Sequence, residues 1–182
     1  MNKIVSLLAA AAMLTIVSCG NNQNKANSSF ENIKVAKTVK AADVDAFTID
    51  VPTGWTRKLD DIKVGKQLFL MAPVSDGFQP NLNVLQEDMQ GRDLDAYVEY
   101  NLKHMGPVDV QTIDQSDIEV NGIKGKLLKF KMNYQNRDMV IGSYIIPGKN
   151  GIAFVVTTTA LVSQYPALAA TFDKTVHSFK LK

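Results

Sequence analysis

The sequence predicts an α+β domain: a central antiparallel β-sheet with helices packed on it, preceded by a signal peptide and a flexible linker. Three observations predict this class. Short runs carry apolar residues at alternate positions, as in Phe47, Ile49 and Val51, or Leu128, Phe130, Met132 and Tyr134, the period of half-buried strands. Polar turn sequences separate neighbouring runs closely, which favours antiparallel hairpins. Two other segments, 94–105 and 168–179, space their apolar residues as helices do.

The N-terminus reads as a delivery segment. Lys3 supplies a positive start, and Ile4 to Val17 is an uncharged, largely apolar run. It is shorter than the ~20 residues a spanning helix needs and has the length of a secretory signal core. Ile16-Val17-Ser18-Cys19 resembles the lipobox of bacterial lipoproteins. That resemblance implies cleavage between Ser18 and Cys19, a diacylglycerol thioether on the Cys19 sulfur and acylation of the new amine. Cys19 is the only cysteine, so thioether formation also accounts for an otherwise unpaired thiol in an exported chain. Two or more acyl chains anchor firmly where one binds only reversibly. Gly20 is not the aspartate that signals inner-membrane retention in enteric lipoproteins, so the expected address is the outer membrane, facing the periplasm. The expected division is 1–18 signal peptide, 19–42 lipidated cysteine and linker, 43–182 folded domain.

Gly20–Ser29, GNNQNKANSS, has no hydrophobic period and reads as a linker, with a coil span of roughly 17 Å. Phe30–Val39 offers a first short strand. In FTIDVPTGW (47–55), a strand runs until Pro52 and Gly54 end it, and Trp55 follows as the largest apolar anchor. Asp60 and Asp61 read as a solvated turn before a second strand near 66–72. Residues 74–80 form a loop whose Phe78 reads as a core plug, and NLNVLQED (81–88) is the next strand. Asp93 is a good N-cap for a helix with Leu94, Tyr97, Val98, Leu102 and Met105 on one face, ended by Gly106-Pro107.

Residues 108–120 read as extended. Asn121-Gly122 is the strongest short hairpin signal in the chain. Strands then follow at 126–134, 139–147 and 152–159, joined by short polar turns into a meander. MVIGSYIIP (139–147) is apolar on both faces, as a central strand is. Ser163 is expected to cap a last helix with Pro166 in its first turn and Leu168, Phe172, Thr175 and Phe179 on one stripe.

This order of elements resembles the PsbP-like family, which includes the photosystem PsbP proteins, the Ran-binding Mog protein and bacterial DcrB-type lipoproteins. The resemblance rests on FTIDVPTGW, NLNV (81–84), LDAYVEYNL (94–102), the Asn121-Gly122 hairpin, AFVVTTT (153–159) and the closing Val176-His177-Ser178-Phe179. It spans residues 44–182. It implies an α/β/α sandwich with helices on both sides of the sheet, and a mainly non-enzymatic scaffold that binds proteins or, in some bacterial lipoproteins, lipids or glycolipids. It implies no particular binding residue.

The chemistry-bearing residues point to no reaction. The mature chain holds no second cysteine, and His104 and His177 both fall near predicted helix ends, where a cation suits the helix dipole. There is no Gly-x-Ser-x-Gly motif and no phosphate loop. Asp109, Asp114, Asp117 and Glu119 lie along one extended segment and read as a solvated edge strand; Asp43, Asp45 and Asp50 read as surface. Arg57 is either a surface cation or a contact for an anionic headgroup. No metal or cofactor is expected. Loss of the signal segment removes only Lys3 among charged residues, leaving basic and acidic residues almost balanced, so no nucleic-acid footprint exists. The expected function is a membrane-anchored envelope lipoprotein acting as a non-enzymatic binding or scaffold module for an envelope protein partner. The alternative is a carrier of lipid or another apolar small ligand, suggested by Phe69, Phe78, Tyr97, Tyr100, Phe130 and Tyr144. An envelope hydrolase is the least favoured class.

Overall fold

A computed structural model describes residues 4–5, 34–35, 39–62, 65–104, 110–134 and 136–182. Ile4–Val5 and Lys34–Val35 pair with each other in parallel and take no part in the main sheet. From there the chain runs β1 (Val39–Ala41), β2 (Phe47–Thr48), β3 (Thr56–Ile62), β4 (Gly65–Met71), β5 (Asn81–Asp88) and α1 (Leu94–Lys103). It continues with β6 (Val110–Val120), β7 (Ile123–Tyr134), β8 (Arg137–Pro147), β9 (Ile152–Leu161), α2 (Tyr165–His177) and β10 (Lys180–Leu181). The main sheet has the order β3-β4-β5-β9-β8-β7-β6, and every neighbouring pair in it is antiparallel.

Two meanders make up this sheet. β3-β4-β5 and β6-β7-β8-β9 are each hairpins in chain order, and the β5–β9 ladder joins them, from Ile152 opposite Asp88 to Thr159 opposite Asn81. β1 extends the β5 edge beyond the end of β4, with Ala41 opposite Leu85 and Val39 opposite Glu87. The β6–β7 turn is Asn121-Gly122, both with positive φ (49° and 80°), the mirror-image turn that suits strand twist.

Side chains alternate across the sheet, so two layers follow from the register. Leu70, Leu82, Val84, Tyr144, Ile146 and Val156 pack on one face beneath Val176 of α2, Phe179 and Phe47. Leu85, Leu128, Phe130, Ile145 and Val155 pack on the other beneath Tyr97 and Val98 of α1. Among the described residues one helix therefore covers each face, as the sandwich expectation requires. Each fully buried Leu, Ile or Phe contributes about 1.5–3 kcal/mol. Phe78 is buried with Met132, Met139 and Ile141, a core plug as expected. β8 is buried on both faces between β7 and β9, matching its doubly apolar sequence.

Several elements differ from the sequence reading. The strand in FTIDV is only Phe47–Thr48, and it pairs with β10 rather than opening the main sheet. Asp50 instead gives its backbone N–H to Ser178 Oγ at 2.8 Å, which diverts the chain before a ladder can continue. Asp60 and Asp61 lie inside the edge strand β3, opposite Gln67 and Lys66, with Asp60 ion-paired to Lys58 at 2.7 Å. An exposed edge tolerates charge that a buried strand cannot, so a charged sequence hid a strand. Ser163 is not the cap of α2. The N-cap is Gln164, in αR conformation and without a side-chain cap bond, because its amide is committed elsewhere. Its Nε2 donates to Ser75 O and Ser75 Oγ, both at 2.7 Å, and its Oε1 accepts from Leu161 N at 3.0 Å.

Candidate functional site

The sequence of β5, NLNVL, alternates amides with aliphatics. Leu82 and Val84 enter the α2-side core, which sends Asn81 and Asn83 to the α1 side. β9 repeats the device in VTTT: Val156 belongs to the α2-side core and Thr157 to the opposite face. The register then assembles a row. Asn83 lies opposite Thr157 on β9 and Phe69 on β4; Thr157 lies opposite Ser143 on β8; Ser143 lies opposite Leu128 on β7. Gln67 joins it diagonally, its Nε2 donating to Asn83 Oδ1 at 2.6 Å. Gln67, Asn83, Ser143 and Thr157 are each 0% exposed.

This row has unspent hydrogen-bonding capacity. Among the described residues, Gln67 Oε1, Asn83 Nδ2, Ser143 Oγ and Thr157 Oγ1 have no hydrogen-bond partner. Each such buried group costs about 1–3 kcal/mol. Thr158, on the opposite face, contrasts with them by donating to Gly142 O at 3.4 Å. On one side of the row, on its own face, is apolar Leu85–Val155–Ile145, under α1; on the other are Asn81, Thr159 and Ile141, the last beside Phe78.

Two charged clusters on this face are internally paired. Tyr97 Oη donates to Glu87 Oε2 at 2.6 Å; burial first, and the Glu87 charge second, raise the Tyr97 pKa far above the phenol range. Lys126 sits 2.6 Å from both Asp117 and Asp95. Hydrogen bonding to Asp117, then to Asp95, holds its ammonium at a pKa of about 12. The unspent groups are therefore neutral amides and hydroxyls.

The residues singled out in the sequence are dispersed. Ser18 and Cys19 lie outside the described residues, as does Asp109. His104 ends α1, its Nδ1 donating to Tyr100 O at 2.7 Å; His177 closes α2, 2.9 Å from Asp173 O. The two serve their own helix ends, and no group of three or more His, Cys, Asp or Glu converges among the described residues. Asp114 pairs with Lys129 at 3.4 Å, and β6 is an edge strand as read. Arg57 is exposed. Phe69, Phe78, Tyr97, Phe130 and Tyr144 are buried, whereas Tyr100 is exposed, stacked with His104 at 4.2 Å and beneath Arg92 at 4.0 Å. The polar row was not among the sequence-predicted sites. Its one signal is polar residues at inward positions of otherwise apolar strands: Asn83 between Leu82 and Val84, and Ser143 within MVIGSYIIP.

The architecture is that of the PsbP/Mog1-like α+β fold. The cyanobacterial PsbP protein CyanoP of Synechocystis matches with TM-score 0.51 and 14% identity, over 79% of this chain and 91% of that one. The Ran-binding protein MOG1P of Saccharomyces cerevisiae matches with TM-score 0.54 and 11% identity, over 79% and 94%. LpqN of Mycobacterium tuberculosis, described as involved in cell envelope biogenesis, matches with TM-score 0.57 and 12% identity, over 75% and 83%. No protein-family model matches the chain, and none of the curated proteins compared with it matches. The likeness is one of fold. Among the described residues no helix is long and apolar enough to cross a membrane.

Proposed function

We propose that the chain is a membrane-anchored cell-envelope lipoprotein, tethered through acylated Cys19, whose domain is a non-enzymatic binding module. The tether is supported by Ile16-Val17-Ser18-Cys19 behind an uncharged apolar run. The outer membrane is its address by the Gly20 rule, with the domain in the periplasm. An extracytoplasmic site accords with a fold that LpqN, a protein of cell envelope biogenesis, also adopts. A protein partner within the envelope remains the broad form of this reading. The observation that carries this reading is the export segment ending in Ile16-Val17-Ser18-Cys19; a small apolar ligand held between sheet and helix is the alternative form.

Two experiments test the two halves. Growth with an alkyne-tagged palmitate labels the wild-type chain, while Cys19→Ala abolishes the label and releases the chain from the membrane fraction. Retention of that variant in membranes would overturn the tether. Native mass spectrometry of the Cys19→Ala chain after incubation with envelope lipid extract gives a discrete adduct under the small-ligand form. A bare mass, with a reproducible cross-linked protein in cells, returns the scaffold form.

A further inference from the structure

We propose that Asn150 is a self-modification site, where the folded chain converts asparagine to isoaspartate with water as the only co-reactant, and that its counterpart Asn121 is protected. Both residues open an Asn-Gly turn. Asn150 and Gly151 have φ of 56° and 73°, against 49° and 80° for Asn121 and Gly122. Each pair fills the two central positions of a mirror-image hairpin turn. Val120 lies opposite Ile123 across the first, and Ile152 N donates to Lys149 O at 3.2 Å across the second. Both asparagines are exposed. Their side chains differ. Asn121 Nδ2 is held by His177 O at 2.9 Å and Phe179 O at 2.7 Å. Among the described residues nothing holds the Asn150 amide.

The reaction needs a side chain free to turn. The Gly151 nitrogen bonds to Asn150 Cγ, the Cγ–Nδ2 bond breaks, and Nδ2 leaves as ammonia with the proton from Gly151 N. Glycine carries no side chain to hinder that approach. Water then opens the imide ring. Cleavage at the Asn150 backbone carbonyl leaves Gly151 joined through Cγ, which lengthens the main chain by one methylene. Nothing is oxidised or reduced. At Asn121 the same ring closure must first break both bonds to the exit of α2. Turn length sets hairpin register, so the lengthened turn cannot keep the Ile152–Lys149 bond, nor the 2.8 Å bond from Met89 N to Gly151 O. The end of the β5–β9 ladder, where Ile152 faces Asp88, loosens with it.

The test incubates the full chain carrying Cys19→Ala in warm, mildly alkaline buffer, both folded and in urea. Peptide mapping by mass spectrometry, with fragmentation that separates isoaspartate from aspartate, follows the two positions. In the folded chain, conversion at Asn150 is expected to be at least about tenfold faster than at Asn121, where two hydrogen bonds oppose ring closure. In urea the two rates should converge. Equal rates in the folded chain would overturn the proposal. So would the same preference in urea, which assigns it to the preceding residues, Lys149 and Val120, rather than to the fold. Hydrogen exchange on the aged protein reads the consequence. The Met89 and Ile152 amides should lose protection in step with isoaspartate in the parent chain. They should keep it in Asn150→Gly, which suits the turn and has no side-chain amide to react. Equal loss in aged Asn150→Gly, or full protection in the converted parent chain, would sink the structural half of the proposal.

Discussion

Asn121 donates its side-chain amide to Phe179 O at 2.7 Å, and to His177 O at 2.9 Å. A hairpin tip between β6 and β7 is thus fastened to the exit of α2, across a long stretch of sequence. The same residue holds φ at 49°, so it answers both a backbone and a side-chain demand. Asn121→Gly keeps the backbone and loses both bonds, and is expected to cost about 1–3 kcal/mol. Asn121→Ala adds a left-handed penalty of about 1–2 kcal/mol. Urea denaturation of the two variants separates the terms; equal loss in both would show that the turn carries none of the strain.

Gln164 ties the 72–80 loop to the start of α2 through Ser75. Gln164→Ala is expected to destabilise by about 2–3 kcal/mol. Hydrogen exchange gives the sharper result. The mutual Ser75–Phe78 backbone bonds should lose protection in the variant, while β8 amides keep theirs apart from the global change.

Gly125 lies where a side chain has no room. A Cβ there would sit 2.5 Å from the backbone oxygen of Ile145 on β8. Gly125→Ala must therefore push β7 from β8, and a loss of at least about 1–3 kcal/mol is expected. A thermal midpoint at the wild-type value would show that the two strands separate freely.

Alkaline pH should unfold the domain through two buried phenols. Burial raises the pKa of Tyr97, aided by Glu87, and that of Tyr144, aided by nearby Tyr165, Asp173 and Asp114. A raised folded pKa means stability is fully present below the unfolded value of about 10 and declines as pH climbs above it. Each tyrosine contributes a slope of up to about 1.4 kcal/mol per pH unit. Urea midpoints between pH 9 and 11.5 measure it, and Tyr97→Phe should make the decline shallower. An unchanged slope in that variant would mean Tyr97 ionises without unfolding.

The architecture was legible because its signals are local. Asp93 caps α1 with its carboxylate 2.8 Å from Ala96 N, and Asn121-Gly122 turns the chain where the dipeptide says it should. β3 was hidden because an edge strand needs no apolar face, so Lys58, Asp60 and Asp61 imitate a loop. β2 was overextended because alternation in FTIDV has the strand period, while Ser178, far along the chain, takes the Asp50 N–H. The polar row was illegible for a related reason. Asn83 and Ser143 stand among apolar neighbours in their own strands, but only the β5–β9 and β8–β9 registers bring them and Thr157 side by side.

The sheet's seam has a kinetic consequence. Each meander is built from near neighbours in the chain, whereas Asn81–Asp88 must find Ile152–Thr159 across the whole of α1 and β6–β8. Loop closure of that span must precede its reward, so β6–β9 is expected to form in the folding transition state and the seam to close late. Interaction indices (φ-values) near 0 for Leu82 and Val84, against larger ones for Ile141 and Phe130, would express that order. Asn83 and Thr157 face each other across this late-closing boundary. That cross-strand pair is therefore among the last contacts made and the first lost, so its opening reports the parting of the two halves.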